Sequence, residues 1–329
     1  MSKERENAFD ILRIIVMTMV IIIHVSNIYS RSFGTISNNS YLFSLIFNTI
    51  SRISVPIFFM ISGALLLDRK FNKKSYIDRL VKYVIVIIVW NLIYLVWEYF
   101  YLGIKYEKLY MLLFGPYRAH LWFLYTILIL YFLQPIIRKI LSKLNNKAKI
   151  ILLVLWFFFC SISIISTFVA KYFTIFNYIG FFILGKYIYD YCKKKELKKY
   201  NILLILLMVT AYFISIVLNY QTSLKYQMFY NLYFAYKTPF IVIAAISFYI
   251  LIITNFKKIK LTKRVLKLSD LSLGVYLIHG TYLDITNKMF SYKNIHSLLG
   301  IPLFTIMIFI SSVITVYLLR KIKLLKNLL

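Results

Sequence analysis

Acidic residues are scarce in this chain: 11 Asp and Glu stand against 40 Lys and Arg among 329 residues. There are only two cysteines, Cys160 in an apolar stretch and Cys192 in an expected basic loop. They make no disulfide framework and no metal-ligand spacing, so both are expected to be free structural thiols, and no metal is expected. There is no phosphate-cradling glycine loop, no Gly-x-Ser-x-Gly elbow and no His-Glu-x-x-His pair. These absences remove the signatures of P-loop enzymes, serine hydrolases and zinc hydrolases. Nor does a row of carboxylates cross the apolar stretches as a proton-coupled pump would require. Without Pro-, Gly- or Ser-rich linkers, low-complexity tails or an internal repeat, residues 1–329 read as a single polytopic domain.

Apolar residues, by contrast, make up 61% of the chain and aromatics 19%, with mean hydropathy +0.76. Apolar runs repeatedly reach the roughly 17–25 residues that cross a bilayer as a helix. The expected fold is all-α, a polytopic membrane bundle of about ten helices. The spans fall near 11–28, 42–67, 81–102, 121–137, 150–169, 173–191, 202–218, 239–254, 270–287 and 300–319. The first is too long and too polar for a cleavable signal peptide. The fifth and sixth are separated by a very short turn. The ninth is the most polar, carrying Asp270, His279 and Asp284.

Charge orients this bundle. With the N-terminus inside, the inner segments hold 28 Lys and Arg and the outer segments 9. That bias follows the positive-inside rule, places both termini in the cytoplasm, and requires an even number of spans. The net charge of +29 is thus distributed between spans, where it favours membrane lipids as partners rather than nucleic acid.

Within the first span, Asp10-Ile-Leu-Arg13 leads through ten residues to His24. Eleven helical steps return to nearly the same face, so Arg13 and His24 share one stripe about 16 Å apart along the axis. Ionisable side chains are costly in hydrocarbon and usually face a bundle interior. His24 could take a proton from a hydroxyl, and Arg13 at the inner mouth could pair with phosphate. The bland alternative is an Asp10–Arg13 pair at the interface with His24 in an ordinary polar contact. In the second span Pro56 should kink the helix, Ser62-Gly63 permits close packing, and Arg52 either binds an anionic or carbonyl group or snorkels outward. His120-Leu-Trp122-Phe-Leu opens the fourth span, with His120 a possible acceptor-binding group and Trp122 in the aromatic belt. His279 closes Ser272-Leu-Gly274-Val-Tyr276-Leu-Ile-His279, Glu98 is placed to orient a histidine, and His296 sits in an outer loop.

These segments together resemble the integral-membrane acyltransferase-3 family. The basic residue, ten residues and histidine match Arg13 and His24. The Val-Pro-x-Phe-Phe-x-x-Ser-Gly pattern matches Val55 through Gly63, and the two later histidine segments match His120 through Leu124 and Ser272 through His279. The resemblance covers essentially the whole chain. It implies transfer of an acyl group, most often acetyl from cytoplasmic acetyl-CoA or another acyl-CoA, to a hydroxyl of a glycan or lipid-linked sugar. It also implies catalytic roles for Arg13 and His24. Arg13, Arg69, Arg79 and Lys82 become donor-binding candidates, and Arg52, His120, Trp122 and His279 acceptor-binding candidates. Some relatives end in a serine-hydrolase-like domain, whereas this sequence stops at Leu329 without one. The expected location is a bacterial plasma membrane. Competing readings are a polysaccharide exporter, which would use the same polar stripe without chemistry, and a membrane sensor or scaffold.

Overall fold

The structure is a computed structural model that describes residues 6–68, 71–103, 115–162, 174–257, 259–323 and 325–329. Among the described residues every regular element is helical. The long helices are α1 (Asn7–Ser30), α2 (Asn38–Ser51), α3 (Ser54–Leu66), α4 (Lys73–Trp97) and α5 (Trp122–Lys143). They continue with α6 (Asn146–Ile162), α7 (Thr174–Lys194), α8 (Asn201–Tyr226) and α9 (Pro239–Phe256). The short α10 (Lys263–Asp270) precedes α11 (Ser272–Phe290) and α12 (Ser297–Leu319).

With α2 and α3 taken as one broken unit and α10 set aside, these helices occupy the ten expected positions. Among the described residues, seven units are long and apolar enough to cross a membrane. The chain is a polytopic helical bundle. The turn expected between the fifth and sixth spans lies outside the described residues.

Local chemistry explains the boundaries. Ser37, Asn72, Thr238 and Thr262 cap helices by accepting from the backbone N–H three residues on, and Pro239 follows its cap at the first helical position. The second span is interrupted at Arg52–Ile53 rather than merely bent at Pro56. Pro56 has no N–H to give the Arg52 carbonyl, so the ladder closes early as Arg52 N–H donates to Thr49 O at 3.2 Å. It resumes when Ile57 N–H reaches Ile53 O at 3.0 Å. The polar ninth span divides too: α10 is a separate amphipathic helix of about two turns ahead of α11. Cys192, read as part of a basic loop, is buried in the last turn of α7, and the two cysteines form no disulfide.

Helix-to-helix contacts keep the ends in register. At one end Glu6 pairs with Lys193 at 3.2 Å, Ser269 donates to Asp10 at 2.7 Å, and Arg320 donates to the Asp270 carbonyl at 2.9 Å. At the other, Ser30 meets Ser44 at 2.9 Å, Tyr41 donates to Ser223 at 2.7 Å, and Ser297 N–H donates to Ser40 at 3.0 Å. The first group contains the segments richest in lysine, which the charge bias assigns to the cytoplasm.

Helix α3 lies deepest, crossing α7 at backbone contact. A Cβ on Gly63 would sit 1.7 Å from the Phe182 carbonyl oxygen, and one on Gly185 would sit 2.1 Å from that of Met60. This is the close approach that Ser62-Gly63 foretold.

Candidate active site

Three histidines from three helical segments converge. The His24 ring lies 5.0 Å from that of His279 and 6.1 Å from that of His120, and His120 and His279 are 5.0 Å apart. His24 comes from the outer half of α1, His120 from the helical turn Ala119–Leu121 that leads into α5, and His279 from the middle of α11.

A hydrogen bond orients one of these rings, and packing places another. His279 Nδ1 lies 2.6 Å from the Tyr276 carbonyl, an acceptor, so in the neutral ring Nδ1 carries the proton and Nε2 presents a lone pair. His120 packs with Nδ1 and Cε1 towards Gly280, its backbone carbonyl accepts from Tyr276 Oη, and Nε2 points away. The Nε2 atoms of both rings are buried without a hydrogen-bond partner. Buried polar atoms are normally satisfied, so a pair of orphaned imidazole nitrogens is the pattern expected where a substrate hydroxyl or carbonyl completes the site.

Two chambers run along the Arg13–His24 stripe. The outer one, about 40 Å³, is lined by His24, His120, Trp122, Val55 and Tyr236. It has room for about three water-sized groups. The inner one, about 220 Å³, is lined by Arg13, Ser62, Tyr83, Tyr131 and Ser272. Phe58, Phe123 and Tyr276 line both, forming a shared wall in which Phe123 lies 5.8 Å from Phe58 and 5.5 Å from Tyr276.

The remaining expected residues are scattered more widely. Arg13 donates to Asp10 at 3.0 Å, as the bland alternative supposed, yet its side chain still lines the inner chamber. Arg52 donates through Nε to Asn48 at 2.8 Å and lies 4.6 Å and 5.2 Å from the ring centres of Phe234 and Tyr236. No carboxylate among the described residues pairs with it. Because Tyr236 lines the outer chamber, Arg52 stands directly behind that wall and does not snorkel. Trp122 packs 5.3 Å from Tyr178 and 5.9 Å from Tyr236, so it lines the chamber instead of belonging to a lipid-facing belt. Arg79 donates to Gln134 at 3.3 Å and lies 5.7 Å from the Tyr131 ring centre, just behind the inner chamber. Lys82 faces outward from α4 and lines neither chamber. Arg69 lies outside the described residues. His296 caps α12 by accepting from Leu298 N–H at 3.3 Å.

Glu98 does not orient a histidine. It pairs at 3.1 Å with Arg118, which also pairs with Asp284, while Trp97 Nε1 donates to Asp284 at 3.0 Å. The Arg118 guanidinium lies 5.5 Å from the centre of the Tyr94 ring, itself 4.9 Å from His120. This ion cluster ties α4, the Arg118 segment and α11 together beside the histidines. Sequence reasoning did not single out Arg118 or Tyr236, and it gave Phe58 and Phe123 no role beyond their place in the two motifs. Arg118 stands two residues before His120 and Asp284 five after His279, and those spacings were the available hint. Among the described residues no group of three His, Cys, Asp or Glu side chains could hold a metal ion.

Comparison with known proteins bears on these features. Residues 6–320 match the acyltransferase-3 family, described as an acyltransferase domain. An amino-acid racemase of Enterococcus faecalis is 28% identical over 355 aligned residues, covering 99% of this chain and 48% of that protein. The chain therefore spans about half the length of that curated relative. No solved structure matches.

Proposed function

The chain belongs to the acyltransferase-3 family, and from that premise we propose a specific reaction for this membrane acyltransferase. It moves a short acyl group, acetyl first among candidates, from cytoplasmic acyl-CoA to a hydroxyl of a surface glycan or its lipid-linked precursor, in a bacterial plasma membrane. The observation that carries this reading is the pair of chambers with Arg13 on one and His24 on the other. The two residues are about 16 Å apart along α1, and the arm that links pyrophosphate to sulfur in coenzyme A, built like a short peptide, extends roughly 15 Å. Arg13 therefore holds pyrophosphate while the thioester reaches the histidines. The small outer chamber suits an acetyl carbonyl and one hydroxyl.

Chemistry follows from the orientation of the rings. A neutral imidazole nitrogen takes the acceptor's hydroxyl proton as the oxygen attacks the thioester carbon. The carbon–sulfur bond breaks, the new ester forms, and the same imidazolium returns the proton to the departing thiolate. His24, at the head of the chamber, is assigned as this base, with His120 and His279 placing the acceptor. The alternative course, in which His24 is itself acylated and passes the group on, uses the same atoms. Arg52 polarises the wall against which the carbonyl oxygen develops charge.

Inverted membrane vesicles supplied with acetyl-labelled CoA test the proposal. Label should enter a glycan or lipid fraction with wild type and not with His24→Ala or Arg13→Ala at matched protein levels. Equal labelling by His24→Ala would remove it as the base. Export of unmodified glycan without consumption of acyl-CoA would favour the exporter instead.

A further inference from the structure

A third cavity, about 420 Å³, opens between the C-terminal half of α5, the start of α6 and α7. Four cations line it (Arg138, Lys149, Lys186 and Lys194) against one carboxylate, Asp190, and Tyr187 and Tyr191 supply aromatic faces. Lys186 is held by Asp68 at 2.9 Å and Asp190 at 2.5 Å, so its charge is balanced. Lys149 and Lys194 have no carboxylate partner among the described residues. The cleft lies at the end of the bundle where Glu6 meets Lys193, the cytoplasmic end by charge.

Its relation to the chambers is set by α5. Phe123, Ile127, Tyr131, Gln134, Arg138 and Leu141 follow one another at steps of three and four, a single helix face. The first borders both chambers, the next two the inner one, and the last two the cleft. Gln134, between them, donates to the Leu66 carbonyl at 2.8 Å; Leu66 lines the inner chamber and Leu67 the cleft. Arg138 lies about 10 Å beyond Tyr131 along the axis.

We propose that this cleft binds the nucleotide end of the thioester donor, its 3′-phosphate on Lys149 and Lys194 and its adenine against Tyr187 or Tyr191. The inference rests on the acyl-CoA reading above. It adds a docking site about two turns of α5 beyond Tyr131, which shares the inner chamber with Arg13, to take the remaining charge of a donor whose pyrophosphate sits at Arg13. Cations without internal partners match a phosphate dianion, and tyrosine faces stack purines without reading their edges.

The test uses the full chain purified in detergent, with adenosine 3′,5′-bisphosphate as calorimetric probe and acetyl-CoA turnover as readout. The double variant Lys149→Gln/Lys194→Gln should weaken bisphosphate binding about tenfold and raise the donor KM by a similar factor while kcat is kept. An acetyl donor lacking the 3′-phosphate should bind weakly to wild type and lose little more in the variant. Unchanged affinity and KM in the double variant would overturn the proposal and leave the acyltransferase reading standing, because His24→Ala would still abolish turnover. Binding of phosphatidylglycerol micelles that depends on Lys149 and Lys194, with no bisphosphate bound, would also overturn it and assign the cleft to lipid. A wild-type protein that consumes no acyl-CoA would remove both readings together.

Discussion

Gly280 on α11 offers a way to move one histidine without touching its chemistry. A Cβ built there would lie 2.8 Å from His120 Cε1 and 2.8 Å from Tyr94 Oη. Ordinary carbon contacts settle near 3.5–4.0 Å, so Gly280→Ala must push the His120 ring by about 1 Å. Neither neighbour yields cheaply: Tyr94 Oη is committed to the Leu277 carbonyl at 2.7 Å, and the His120 ring is packed among those of His279 at 5.0 Å, Tyr94 at 4.9 Å and Tyr276 at 6.0 Å. A displacement of that size in a positioned group costs about a hundredfold in rate. The expected outcome is a fall of roughly that size in acetyl-CoA-dependent product formation per folded molecule, with overpacking costing about 1–3 kcal/mol of stability. Gly274→Ala is the matched control. It lies on the same helix about 9 Å away, and its added methyl would meet the Val316 side chain, the nearest methyl at 2.5 Å. It should show a similar loss of thermal stability and near-normal turnover. Turnover within twofold of wild type for Gly280→Ala, in a background where His120→Ala is inactive, would refute the claim that the position of this ring matters.

Other parts of the bundle yield shorter tests. Gly63→Ala and Gly185→Ala each drive a methyl into the backbone of the facing helix, and each should destabilise by 3 kcal/mol or more, beyond the roughly 1–3 kcal/mol of side-chain overpacking. The check is the temperature at which detergent-purified protein aggregates. Arg118→Gln strands Glu98 and Asp284 without their cation and should cost about 3–5 kcal/mol. A triple variant that also neutralises both carboxylates should recover much of that, and failure to recover would mean that Arg118 works through something other than the ion cluster. Phe123→Ala opens the wall between the chambers, so thiol release from acyl-CoA should rise relative to acylated product. Tight coupling in Phe123→Ala would show that the wall has no part in guiding transfer.

Much of this architecture was legible because membrane helices announce themselves by length and apolarity. The Arg13–His24 stripe was legible for the same reason, since a helix of known period places two residues on one face. What could not be read was assembly between helices. Phe58, Phe123 and Tyr236 look like ordinary apolar filling in any single span, and only the bundle makes them chamber walls. Glu98 was paired in expectation with a histidine because the sequence gives no distance between α4 and the Arg118 segment. The break at Arg52–Ile53 was nearly visible. Pro56 pointed to it, but a kink and an interruption differ only in whether the preceding carbonyls find other donors. That same break sets Arg52 behind Tyr236 and not out at the lipid interface.

The aromatic wall has a consequence for the energetics of the host membrane. A passage that lets an acyl group pass from one face of a bilayer to a hydroxyl near the other is also, unless closed, a leak for protons. Each elementary charge that slips through dissipates about 2.3 kcal/mol per 100 mV of membrane potential. Phe58, Phe123 and Tyr276 stand between an inner chamber lined by Arg13 and tyrosine hydroxyls and an outer one lined by imidazoles, and so interrupt the file of water that could otherwise link the two. Two compartments in series behave as an airlock. On the reaction proposed above, the donor's own arm would fill the gap between the chambers and so spare the ion gradient at each turnover.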